Sequence, residues 1–117
     1  MKVVIVDYRL GNLRSVAGAV ERVGYEPVIS NEVDVLEKAD KLILPGVGAF
    51  GSMMKFLNEK NYVDPLKVYL QSNRPFLGIC LGLQALFDDS EEAPGVKGLG
   101  FIRGRVKRFT GSSINGL

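Results

Sequence analysis

Pro75-Phe76-Leu77-Gly78-Ile79-Cys80-Leu81-Gly82-Leu83-Gln84 reads as a short buried strand that runs, with no linker, into an apolar helical stretch continuing to Phe87. A cysteine stands at the junction with glycine two positions to either side, and this G-x-C-x-G spacing permits a sharp turn from strand to helix. Such a turn places the sulfur at a helix N-terminus, where unpaired N–H groups favour thiolate, and lets the Leu81 N–H face a developing negative oxygen. A cysteine without this context is more often a small buried hydrophobe. Here the surroundings match the nucleophile elbow, with sulfur in place of oxygen.

Upstream of the elbow the same strand-then-helix rhythm repeats. Lys2 to Val6 is a continuous β-branched run suited to a strand buried on both faces, closed by Asp7. After a Gly11-Asn12 turn, Leu13, Val16, Ala17, Val20 and Val23 recur at helical spacing, and Gly24 stands where a helix end favours a left-handed residue. Pro27 to Ile29 and Lys41 to Leu44 predict further strands, with Val33 to Lys38 a short helix between them. Met53 to Leu57 and Tyr62 to Leu70 read as helices before the strand that meets Cys80. Four alternations predict an α/β fold: an open, mostly parallel sheet with helices on both faces and functional residues beyond the carboxyl ends of the strands. Asp7, Gly46 and Cys80 all fall there. A carboxylate capping the turn or helix that follows is the better reading of Asp7.

Downstream, Asp88 to Gly95 is an acidic loop punctuated by Pro94 and Gly95, and Phe101 to Phe109 reads as an exposed strand with Arg103, Arg105 and Lys107 on one face. Alternating charges of this kind usually mark a solvated edge rather than a binding patch. Gly111 to Leu117 is a polar end without a closing element, so the sheet is expected to be incomplete at that side.

With 117 residues, 46% of them hydrophobic and 24% charged, the chain can bury the core of one compact domain. A net charge of +2 demands no polyanion, so nucleic acid is not an expected partner. No run has the length of a signal or membrane-spanning segment, which points to a cytoplasmic protein without a membrane partner. One cysteine cannot form an internal disulfide, and the lack of histidine removes the usual zinc sets; neither a metal nor a cofactor is expected.

The second glycine-rich loop, Pro45-Gly46-Val47-Gly48-Ala49-Phe50-Gly51, also lies between a strand and a helix. Its glycines would let a backbone N–H approach a reacting group and complete an oxyanion hole. The letters also satisfy G-x-G-x-x-G, so a phosphate or dinucleotide cradle and a plain turn remain open readings. Against the cradle, the motif follows the third strand rather than the first, and the next strand ends in Cys80 where a ribose-binding acid is expected.

Together, Asp7-Tyr8-Arg9-Leu10-Gly11-Asn12-Leu13-Arg14-Ser15-Val16, Pro45 to Phe50 and Gly78 to Gln84 resemble the glutaminase subunits of imidazole glycerol phosphate synthase, within the class I glutamine amidotransferases. Gly98-Leu99-Gly100 and Gly104-Arg105-Val106 fit the same pattern in collinear order. The resemblance implies that residues 1–117 are the N-terminal portion of a single amidotransferase domain. It implies that Cys80 attacks the carboxamide of glutamine, that the Val47 and Leu81 N–H groups hold the oxyanion, and that Gly46, Gly48, Gln84 and Glu92 hold the substrate. It further implies that ammonia passes to a (β/α)8-barrel cyclase subunit during histidine biosynthesis, with Asn12 near that interface. Taken alone, Gln84 reads equally as a polar residue on a helix surface and Glu92 as one more charge in a solvated loop.

The family pairs its cysteine with a histidine and a glutamate from a later segment, and this sequence has no histidine. These residues by themselves are therefore expected to be inactive. A binding module that keeps a glutamine pocket without the base, and a phosphate-binding α/β domain, are the competing readings.

Overall fold

The computed structural model describes residues 1–8 and 12–109. Their order is β1 (Lys2–Val6), α1 (Leu13–Arg22), β2 (Glu26–Ser30), α2 (Val33–Glu37), β3 (Leu42–Leu44), α3 (Phe50–Glu59), α4 (Val63–Gln71), β4 (Phe76–Gly78), α5 (Leu81–Gln84), β5 (Asp89–Ser90) and β6 (Arg105–Val106). β1 to β4 form one sheet in the order β2-β1-β3-β4 with every described pairing parallel. Parallel neighbours need crossovers, and each connection here carries a helix. β1 lies inside the sheet with Val3 to Val6 all buried, as a continuous β-branched run predicts. Chain order reverses between β1 and β3, which opens a crevice beyond their carboxyl ends. Asp7-Tyr8 leave β1 and Pro45-Gly46 leave β3 at that crevice.

Both sheet faces carry helices, unequally. On one, Leu13, Val16 and Ala17 of α1 pack against Val3, Ile5 and Ile43. On the other, Val4, Val6, Leu42 and Leu44 meet a larger layer that includes Leu36 of α2, Phe50 and Met53 of α3, and Leu66 of α4. Burying each such side chain is worth about 1.5–3 kcal/mol, so this second layer is the main core. It holds the β3 and β4 ends from which the two glycine loops spring.

Local chemistry sets the limits of α1. The Asn12 side-chain oxygen accepts the Ser15 N–H at 3.2 Å, so the residue immediately before the helix caps it; the turn that Asp7 was expected to cap lies partly outside the described residues. At the other end Gly24 is left-handed (φ +93°), Gly24 donates to Glu21 O and Tyr25 to Val20 O, and the orphan carbonyls are thereby satisfied. Val23, expected on the apolar stripe, lies past the last turn and is 71% exposed.

Two expectations about the later chain are corrected. α5 stops at Gln84 rather than reaching Phe87, because the carbonyls of Ala85, Leu86 and Phe87 accept from Leu99, Ile102 and Gly100 instead of continuing a helix. Phe101 to Phe109 is not a continuous strand: only Arg105–Val106 pairs, in parallel with Asp89–Ser90 inside the segment expected to be all loop. Gly104, at φ +137°, breaks the run, and its N–H is held by Asp88 Oδ2 at 3.0 Å. Arg103, Arg105 and Lys107 are exposed as expected of a solvated face. The Gly11 part of the expected turn and the Gly111–Leu117 tail lie outside the described residues. Among the described residues no helix is long and apolar enough to cross a membrane, and no three metal-ligating side chains gather into one group.

Candidate active site

Cys80 is exposed at the end of β4 with φ +54° and ψ −115°, a conformation that L side chains rarely adopt. Holding a non-glycine residue there costs about 1–3 kcal/mol, and surrounding contacts must over-determine it. They do so from both sides. Ile79 donates to Leu44 O at 3.0 Å, while Leu83 and Gln84 donate to Cys80 O at 3.0 and 3.1 Å.

The flanking glycines serve close packing, and the left-handed residue of the turn is Cys80 itself. A Cβ on Gly78 would meet Gly82 O at 2.8 Å and Leu83 Cα at 2.9 Å, and one on Gly82 would overlap the Leu44 carbonyl. Glycine at position 80 relieves the strain, so Cys80→Gly is expected to be about 1 kcal/mol more stable to urea than Cys80→Ala. Equal stabilities would show that the elbow is unstrained.

The second glycine loop packs against this elbow. Gly46 is buried, and a Cβ there would overlap the Tyr8 hydroxyl and meet Leu81 Cβ at 2.8 Å and Gly82 N at 2.9 Å. Gly46 is thus enclosed by Tyr8 and Leu81 rather than lining an open phosphate cradle, and Gly51 already belongs to α3. The peptide joining Gly46 to Val47 presents its carbonyl to the elbow, where Leu81 N–H donates to Gly46 O at 3.3 Å. The Val47 N–H turns instead toward the phenol oxygen of Tyr8, at a geometry short of a hydrogen bond. Both N–H groups expected at an oxyanion are therefore directed into the protein in this conformation. Gly48 follows at φ +102°, with open space where a side chain would stand.

Tyr8 was legible in the sequence only as one letter of a motif. It is fully buried, and its hydroxyl has no hydrogen-bond partner. Burial pushes its ionisation up to about 12; the Val47 N–H opposes that shift and the neighbouring Cys80 adds to it. The group is a neutral phenol, able to donate and accept, at any ordinary pH. The signal that could have found it is an aromatic residue directly beyond a buried strand, on the edge where α/β sheets collect functional groups.

Gln84 and Glu92 come together on an open hollow of about 580 Å³, shared with Ser90, Lys107 and Arg108. Ser90 is buried, and its Oγ accepts the Glu92 N–H at 3.2 Å, which orders the acidic loop. Opposite, Arg105 Nε meets Asp89 Oδ1 at 3.0 Å, and Glu91 Oε1 accepts the Arg108 N–H at 2.8 Å. Gln84 connects this hollow to the elbow, since its own N–H bonds Cys80 O. Cys80, Gly46, Val47 and Gly48 do not line the hollow. Asn12 stands apart, as the cap of α1.

An open parallel sheet with a cysteine on a left-handed elbow, backed by a glycine loop, places the chain among the α/β proteins that present side chains beyond the carboxyl ends of their strands. Comparison with known families makes the assignment specific: this chain belongs to the SNO glutamine amidotransferase family, which it matches over residues 9–112. Among curated proteins it is similar to imidazole glycerol phosphate synthase subunit HisH of Thermus thermophilus, 44% identical over 114 residues that make up 97% of this chain and 58% of that protein. It is likewise similar to HisH of Aquifex aeolicus, 51% identical over 107 residues, or 91% of this chain and 52% of that one. The chain thus spans little more than half the length of these relatives. Among solved structures, one described as a glutamine amidotransferase superposes with a TM-score of 0.76 at 25% identity, covering 90% of this chain and 56% of that one. A putative peptidase E protein from Listeria monocytogenes EGD-e, at 12% identity and a TM-score of 0.72 over 86% of this chain and 62% of that one, shares the fold alone.

Proposed function

We propose that this chain carries the nucleophile half of a glutaminase, in which Cys80 attacks the side-chain carboxamide of glutamine. The observation that carries the reading is the strained elbow: an exposed cysteine held at positive φ, with the Gly46–Val47 peptide in contact beside it. Attack forms a C–S bond and a tetrahedral oxyanion, which collapses as the C–N bond breaks and the leaving nitrogen takes a proton to depart as ammonia. Water then adds to the thioester, releasing glutamate and restoring the thiol.

Residues 1–117 form the N-terminal portion of a single amidotransferase domain, and the base that moves these protons is supplied by a histidine that they do not contain. Val47 and Leu81 N–H groups stabilise the oxyanion once the Gly46–Val47 peptide has turned. Gly46 and Gly48 border the carboxamide. Gln84 and Glu92 hold the amino-acid end, the Glu92 carboxylate suiting an α-ammonium group.

The relatives named above are subunits of imidazole glycerol phosphate synthase, which supports a cyclase subunit of that synthase, a (β/α)8 barrel, as the partner that consumes the ammonia, with Asn12 near the contact. The test is glutamate release by this chain extended by fusion to the length of its relatives, with partner present, against its Cys80→Ala variant. Release that survives loss of the sulfur would overturn the assignment.

A further inference from the structure

We infer that Tyr8 is a positioning residue of this site: its hydroxyl serves the Gly46–Val47 peptide in two orientations, facing the Val47 N–H in the one seen and donating to the Gly46 carbonyl once that peptide has turned. The inference rests on the reading of Cys80 as a glutaminase nucleophile and names the group that makes its oxyanion hole possible.

Three observations carry it. Buried polar groups are almost always hydrogen-bonded, yet the Tyr8 hydroxyl is fully buried without a partner, which leaves its donor unused in the conformation seen. The oxygen lies so close to Gly46 that a Cβ there would overlap it, so no residue stands between the phenol and the Gly46–Val47 peptide. Finally, the Gly46 carbonyl occupies the Leu81 N–H at 3.3 Å while the Val47 N–H points toward the phenol.

A single rotation of that peptide frees both N–H groups for an oxyanion. It also withdraws the Gly46 carbonyl from the Leu81 N–H into a buried setting, where an unpaired carbonyl is strongly disfavoured. The phenol O–H is the unused donor at that spot. A hydroxyl can accept in one orientation and donate in the other, whereas phenylalanine fills the same space and does neither.

The experiment compares Tyr8→Phe with the unsubstituted protein, extended to the length of its relatives and with the partner present. The expected result is a kcat for glutamine hydrolysis lowered about 10- to 100-fold, KM within about threefold, and a Tm unchanged or higher because an unpaired buried hydroxyl has been removed. Alkylation of Cys80 by iodoacetamide, which forms no oxyanion, is expected to keep its rate within about twofold. Tyr69→Phe serves as the control: its hydroxyl donates to Pro75 O at 2.6 Å, and its loss should lower Tm while leaving kcat unchanged.

An unchanged or increased kcat in Tyr8→Phe, or a fall in kcat that merely follows a fall in Tm, overturns the positioning role while leaving Cys80 as the nucleophile. Absence of glutamate release from the unsubstituted protein removes both.

Discussion

Gly82→Ala is expected to lower the stability of the chain by about 3 kcal/mol or more, a large part of the about 5–15 kcal/mol available to a domain. The added Cβ would overlap the carbonyl of Leu44, which is backbone at the end of β3 and cannot rotate aside as a flexible side chain could. Relief requires α5 to lift from the sheet. That movement would break the Ile79 N–H bond to Leu44 O and the Leu81 N–H bond to Gly46 O together. Gly18→Ala is the internal reference, because that glycine lies within α1 with nothing inside 4 Å of its added Cβ. It should gain about 0.5–1 kcal/mol from the lower chain entropy of alanine. Urea midpoints of the two variants shifting in opposite directions is the expected pattern. An unfolding free energy of Gly82→Ala within about 0.5 kcal/mol of the parent would mean that the elbow is not packed on β3 as described.

Replacing Cys80 by alanine is expected to reduce glutamine hydrolysis by at least about 10⁴-fold in the chain extended to the length of its relatives, as loss of a covalent nucleophile does elsewhere. The substitution leaves a Cβ at φ +54°, so the elbow is retained and the loss can be charged to the sulfur. The 117-residue chain without extension is expected to release almost no glutamate even with Cys80 intact. It contains no histidine to carry the thiol proton to the leaving nitrogen. Rapid release by the unextended chain would require another proton carrier among these residues.

The elbow and β1 could be read from the sequence because each is encoded locally. Val3 to Val6 form an uninterrupted apolar run that only a strand buried on both faces accommodates, and Gly78 and Gly82 mark where strand and helix approach too closely for any side chain. Even there the physical reason differed, since the unusual φ belongs to Cys80 and the glycines answer to packing. The end of α5 was not legible, because it is set by the N–H groups of Leu99, Gly100 and Ile102 arriving from beyond the acidic loop. Phe101 to Phe109 alternates like a strand, yet Gly104 and Asp88 hold most of it out of a ladder. Tyr8 escaped for a similar reason. Only the reversal of strand order sets the end of β1 beside the end of β3 and brings the phenol under Gly46. The direction of the Gly46–Val47 peptide is beyond any reading of letters, since both orientations share one sequence.

Exposing the extended chain to a diazoketone analogue of glutamine, and locating the adduct by mass spectrometry, shows whether Cys80 is a nucleophile facing a glutamine pocket. One adduct per chain is expected, on Cys80, formed more slowly as free glutamine is added and absent from Cys80→Ala. No adduct, or an adduct whose rate glutamine leaves unchanged, would contradict it.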